Sequence, residues 1–252
     1  MTRQDEPFFV GYLPAPAQSR RFLLTAGIST VAGFMGAGAL IGITQDDPGQ
    51  GAFRFDYGRQ TVTGVLELNP YPLVRVTEGN DRIPIGHTLM LAAGGKRGLM
   101  NRARNLDGKL VTVSGIVLQR GDLDMLQVRG GKQGLGPADG ATPPLSREDL
   151  GRWRIAGEIC DGKCLAGAMR PGRGLAHKAC ANLCLIGGIP PVFVSTQPID
   201  GTEFLLVGGP DGGALPASVY NQVGQFISAE GKVERRGDLL VFLIDPNTVA
   251  VL

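Results

Sequence analysis

"GKLVTVSGIVLQRGDLDMLQV" (108–128) aligns without a gap on "GQFISAEGKVERRGDLLVFLI" (224–244) at a constant offset of 116. The two stretches share Gly108/Gly224, Gly115/Gly231, Val117/Val233 and the run Arg-Gly-Asp-Leu. Leu110, Val111, Val113 and Ile116 are spaced by polar or glycine residues, which suits half-buried strands, and "QRGD" and "RRGD" read as hairpin turns. The same offset places "TLMLAAGG" (88–95) on "FLLVGGPD" (204–211). Further upstream, "TVTGVLELNP" (61–70) matches "RIAGEICDGK" (154–163) with Gly64 on Gly157, an offset of 93. A fixed internal period marks a duplicated unit. The change of offset places about 23 extra residues in the second copy, between Cys160 and Pro190.

Short strands at regular spacing that close into a small barrel predict an all-β protein of two tandem OB-like barrels. The first spans 50–130 and the second 151–252. "GGKQGLGPADGATPPLSRED" (130–149) is rich in Gly and Pro and predicts a linker over 131–150, with a brief helical turn at its "PLSRED" end. Composition agrees with this class, with 39 Gly and 17 Pro in 252 residues and only 6% aromatics. The balance of 25 basic against 23 acidic side chains asks for no nucleic-acid partner.

"FLLTAGISTVAGFMGAGALIGIT" (22–44) carries no charge and is long enough to cross a bilayer of about 30 Å. Ser19-Arg20-Arg21-Phe22-Leu23-Leu24 resembles a twin-arginine export signal. Paired arginines before the span hold 1–21 in the cytoplasm. The expectation is a single-pass inner-membrane protein with an uncleaved signal-anchor, a transmembrane helix over 22–44 and everything after Asp46 in the periplasm. Gly38 and Gly42, with Ala32 and Gly36 beside them, make a small-residue stripe that a second helix can approach. "FFVGYLPAP" (8–16) suits packing on a membrane partner, so a membrane complex is expected to meet the anchor and the periplasmic face.

All four cysteines and one of the two histidines fall in "CDGKCLAGAMRPGRGLAHKACANLC" (160–184). "GLAHKACANLCLI" (174–186) reads as a short helix ended by Gly187-Gly188 and Pro190-Pro191. His177, Cys180 and Cys184 then share one face, with Cys164 arriving from the other side. That set predicts a transition-metal site, zinc or copper, on Cys164, His177, Cys180 and Cys184, with Asp161 and Glu158 holding the ligands in place. Two disulfides among Cys160, Cys164, Cys180 and Cys184 are the alternative in an exported chain, and a thiol–disulfide redox couple is a third. Lys163, Arg170, Arg173 and Lys178 are expected to lower thiol pKa values. Covalent c-type haem is excluded because no C-x-x-C-H occurs, and a Rieske cluster would need His87 as a second histidine. No C-x-x-C opens a helix, which argues against a thioredoxin-like enzyme.

The segment "GEICDGKCLAG…GLAHKACANLCLIGGIPP" resembles a group of uncharacterised exported bacterial OB-like proteins with the pattern G-E-[VI]-x-D-x-x-C…H-K-x-C-A-x-x-C…G-x-P. Gly157, Glu158, Asp161, Cys164, His177, Lys178, Cys180, Ala181, Cys184 and Pro190 fall on it, and Cys160 departs from it. The resemblance covers the second barrel only. It implies a periplasmic setting and a joint use of Cys164, His177, Cys180 and Cys184. Together these readings predict a membrane-anchored accessory or metal-binding subunit, associated with an electron-transfer complex, rather than an enzyme.

Overall fold

In the computed structural model, residues 16–44 and 49–252 are described; the segment 8–15 and Asp46, where the exported part was expected to begin, lie outside them. The chain divides into two compact units, 1–47 and 48–252. The first contains α1 (Ala17–Thr44), of which Ala17–Ile41 is long and apolar enough to cross a membrane. The helix starts before Phe22 because nothing in 17–21 breaks it, so Arg20 and Arg21 sit in its first turns.

The second unit holds both barrels. The first is built from β1 (Ala52–Phe53), β2 (Gln60–Glu67), β3 (Leu73–Glu78), β4 (Thr88–Ala92), a one-turn α2 (Met100–Ala103), β5 (Leu110–Arg120), β6 (Leu123–Val128) and β7 (Leu135–Pro137). The second follows with β8 (Glu148–Asp161), α3 (Lys178–Ile186), β9 (Pro191–Ile199), β10 (Thr202–Gly208), β11 (Phe226–Arg236), β12 (Leu239–Ile244) and β13 (Ala250–Val251). Each closes through five strands, in the order β2-β3-β4-β6-β5 and β8-β9-β10-β12-β11, with β4 parallel to β6 and β10 parallel to β12. This is one OB-like topology used twice.

The repeat holds at the level of register. Met90 pairs with Met125 and Leu206 with Val241, while Gly115 pairs with Val128 and Gly231 with Ile244. The repeated glycines mark places where strands touch backbone to backbone. A Cβ on Gly64 would lie 2.4 Å from the Arg75 carbonyl oxygen, and one on Gly157 2.0 Å from that of Val194. Gly121 and Gly237 take φ of 58° and 66° in the two-residue hairpins that the Arg-Gly-Asp-Leu runs encode.

The insertion lies between the first two strands of the second barrel, where 162–190 stands in place of 68–72. The β9–β10 hairpin is correspondingly tighter than the β3–β4 connection, so the net offset understates the insertion.

Three differences from the sequence reading follow. β7 lies within the expected linker and pairs with β5, and Glu148–Asp149 open β8 in place of a helical turn. Arg147 is pinned to Glu67 and the Ser146 carbonyl to Arg75, so this segment is part of the packed body. The barrels also share a core. Besides one apolar interior each, a third cluster joins them, and the equivalent positions Leu73/Val192, Met90/Leu206 and Met125/Val241 meet in it. The relation resembles the isologous contact of a symmetric dimer. Cys160, Cys164, Leu165, Cys184 and Ile189 belong to this third cluster, so the insertion is built into the seam and does not loop out.

Candidate metal and thiol site

β8 runs into the seam and ends at Asp161, which is fully buried. Its Oδ1 accepts the backbone N–H of Cys164 at 2.8 Å and its Oδ2 meets His177 Nε2 at 3.0 Å. A buried carboxylate needs such partners. Asp161 therefore fixes both the π-helical turn Cys164–Ala168 and the ring of His177. A 3-10 turn, Leu175–His177, precedes α3, so His177 caps α3 from outside it and its ring is held by Asp161, in place of the continuous helical face expected for His177, Cys180 and Cys184.

The donors accordingly form two groups that share Cys164. Cys164, Cys180 and Cys184 offer sulfurs within 4.8 Å of one another, and Asp161, Cys164 and His177 form a second set. The Sγ atoms of Cys164 and Cys184 are 4.0 Å apart, and all four cysteines are unbonded thiols. Cys160 stands apart. It occupies the position equivalent to Glu67, and its thiol donates to Glu158 at 3.1 Å. Glu158 also accepts the Gly174 N–H, so it braces the return of the insertion and touches none of the three clustered sulfurs.

The cation at the thiols was not legible in the sequence. Lys96, from the connection after β4 of the first barrel, places Nζ 2.7 Å from Cys180 Sγ and 3.5 Å from Cys184 Sγ. Two backbone contacts bring it there: the Gly98 N–H donates to the Gly187 carbonyl at 2.7 Å, and a Cβ on Gly187 would strike the Lys96 carbonyl oxygen at 1.9 Å. Lys163 instead donates to the carbonyls of Ala93 and Gly95, and Lys178 to that of Asn221, so neither is the partner of a sulfur.

The electrostatics follow the contacts. The thiol hydrogen bond from Cys164 lowers the pKa of Cys184, and Lys96 adds to this against burial. Cys164 is pushed up by the same contact and by burial, so the proton of the pair rests on Cys164. Burial, then the charge of Glu158, raises Cys160, which makes it an inert thiol. Lys96 is held protonated by Cys180. The arrangement presents three clustered sulfurs at the seam, with the thiolate favoured at Cys184 and Cys180 the most accessible of the three.

Comparison with protein-family models, with curated proteins and with solved structures finds no match. The fold and site thus define the class on their own: a tandem OB-like barrel protein with an apolar N-terminal helix and a Cys/His cluster placed to hold a metal ion.

Proposed function

We propose that the chain is an exported, inner-membrane-anchored accessory subunit whose seam binds one thiophilic transition ion, zinc or copper, through Cys164, Cys180 and Cys184. The observation that carries this is the trio of sulfurs within 4.8 Å. Metal–sulfur bonds of about 2.3 Å in tetrahedral geometry set sulfurs about 3.8 Å apart, close to the 4.0 Å between Cys164 and Cys184. His177, oriented by Asp161, borders the site through Cys164. The resemblance noted above, the paired Arg20-Arg21 and α1 support a periplasmic setting and a membrane complex, one that transfers electrons, as the partner.

The test is metal analysis of the full chain purified in mild detergent without chelators. One zinc or copper per chain is expected, lost in Cys180→Ser and Cys184→Ser and kept in Cys160→Ser. Absence of stoichiometric metal, or equal loss in Cys160→Ser, overturns the reading. A reporter fused at the C-terminus should be active only in the exported compartment, and less so when Arg20-Arg21 become Lys-Lys.

A second reading rests on Lys96 lying against Cys180. Two thiols of the trio would give two electrons and two protons to the disulfide of a partner protein, forming one internal Cys–Cys bond while the partner becomes a dithiol. A metal-free chain that gains two free thiols on reduction favours this reading, or a static disulfide staple where the bond resists exchange with that partner.

A further inference from the structure

On the far side of the loop that carries Lys96, a cleft of about 840 Å³ opens at the end of the first barrel. Arg59, Arg97, Arg102 and Arg129 line it, and no acidic residue does. Several other arginines of this unit meet carboxylates: Arg54 with Asp56, Arg75 and Arg147 with Glu67, Arg152 with Glu230, Arg236 with Glu234. Among the described residues, the side chains of Arg59, Arg97 and Arg129 have neither an ion pair nor a hydrogen bond. Arg102 is held in place, its Nη2 donating to the carbonyls of Arg129 at 3.0 Å and Gly131 at 2.8 Å. Those contacts leave the other edge of its guanidinium free.

Four like charges around one concavity repel one another, and the concave wall focuses their field. An anion relieves that repulsion, and guanidinium groups match the oxygens of a phosphate in paired, charge-assisted bonds. The rest of the lining is mostly glycine, including Gly94, Gly98, Gly130 and Gly131, so main-chain groups are open to a ligand. We propose that this cleft is a binding site for a phosphate-class anion carrying more than one negative charge or presented with a second polar group. Two sources share that chemistry: a free phosphate compound and the headgroup of an anionic phospholipid.

The experiment uses the full chain in non-ionic detergent at low salt. Calorimetric titration with pyrophosphate, and separately with short-chain phosphatidylglycerol below its micellar concentration, should show one site per chain. In the double variant Arg97→Gln/Arg129→Gln, affinity for the bound ligand should fall by at least about tenfold, with an unchanged circular dichroism spectrum and melting temperature because neither side chain has a partner to lose. Arg59→Gln should give a smaller loss, and added salt should weaken binding throughout. Binding of pyrophosphate that phosphatidylglycerol does not displace identifies a free anion as the ligand. Displacement by phosphatidylglycerol at equal or lower concentration identifies the lipid. Failure of both probes to bind at millimolar concentration, or equal binding by wild type and the double variant, overturns the proposal.

Discussion

Lys96 of the first barrel lies 2.7 Å from the sulfur of Cys180 in the second, so neither barrel alone carries the complete site. The contact depends on the close approach of Gly98 to Gly187 and Gly188. A neighbouring ammonium favours the thiolate over the thiol. Replacing Lys96 by Met keeps the length of the side chain and removes the charge. Alkylation of Cys184 by iodoacetamide at neutral pH, followed by peptide mass spectrometry, should then slow, because Lys96 helps the hydrogen bond from Cys164 to lower the pKa of that thiol. An unchanged rate would show that Lys96 is only a neighbour.

The glycines of the repeat explain why the fold was legible. Gly64 and Gly157, Gly115 and Gly231 recur because a Cβ at each would meet a carbonyl of the next strand, so the requirement leaves the same mark in both copies. The site was legible in part. Cys164, Cys180 and Cys184 come together, and Asp161 joins Cys164 and His177 in a second set. His177 stands just outside α3, as its N-terminal cap, and faces Asp161, which a helical periodicity does not reveal. Lys96 sits in "GGKRG", which reads only as a turn, and its partner is 84 residues away. The shared core was also hidden, since the outward residues Met90 and Met125 look like ordinary strand residues until the second barrel covers them.

The Asp161–His177 pair carries a stability prediction. His177→Ala removes the partner of a carboxylate oxygen that is fully buried, and leaving such a group unsatisfied costs about 1 to 3 kcal/mol. The urea midpoint should fall accordingly, while the trio of sulfurs keeps its metal at low denaturant. His177→Gln, which retains a donor, should recover part of the loss. Loss of metal without loss of stability would instead place His177 among the direct ligands.

Gly157→Ala tests the backbone contact at the root of the second barrel. The added methyl would stand 2.0 Å from the Val194 carbonyl oxygen and 2.6 Å from the Phe193 ring, both in packed strands that cannot retreat. Overpacking of this kind costs typically 1 to 3 kcal/mol and more where backbone must move. Gly64→Ala should cost a similar amount. Thermal unfolding checks both, and a near-neutral Gly157→Ala would mean that the β8–β9 contact is looser than drawn.

His87 ties the barrels together at the other end of the seam, and its contribution should depend on pH. Nε2 is 3.1 Å from Asp124 of the first barrel, and Nδ1 bonds Asp238 in the β11–β12 hairpin of the second. Burial alone would lower its pKa, but the hydrogen bonds and charges of the two aspartates outweigh burial and raise it to about 9. Asp238 is shifted the opposite way, since His87 overcomes the effect of burial and lowers it. A folded-state pKa above the unfolded value of about 6.5 means that the native state holds the proton more tightly. The stabilisation is therefore complete below about pH 6.5 and is lost as pH rises through about 9. Because Asp238 is half exposed, screening reduces the effect to on the order of 1 to 2 kcal/mol. His87→Gln should accordingly be less stable than wild type at pH 6, and the two should converge by pH 10 in urea unfolding measured across that range. A gap that stays constant with pH would mean that His87 acts by packing and not by charge.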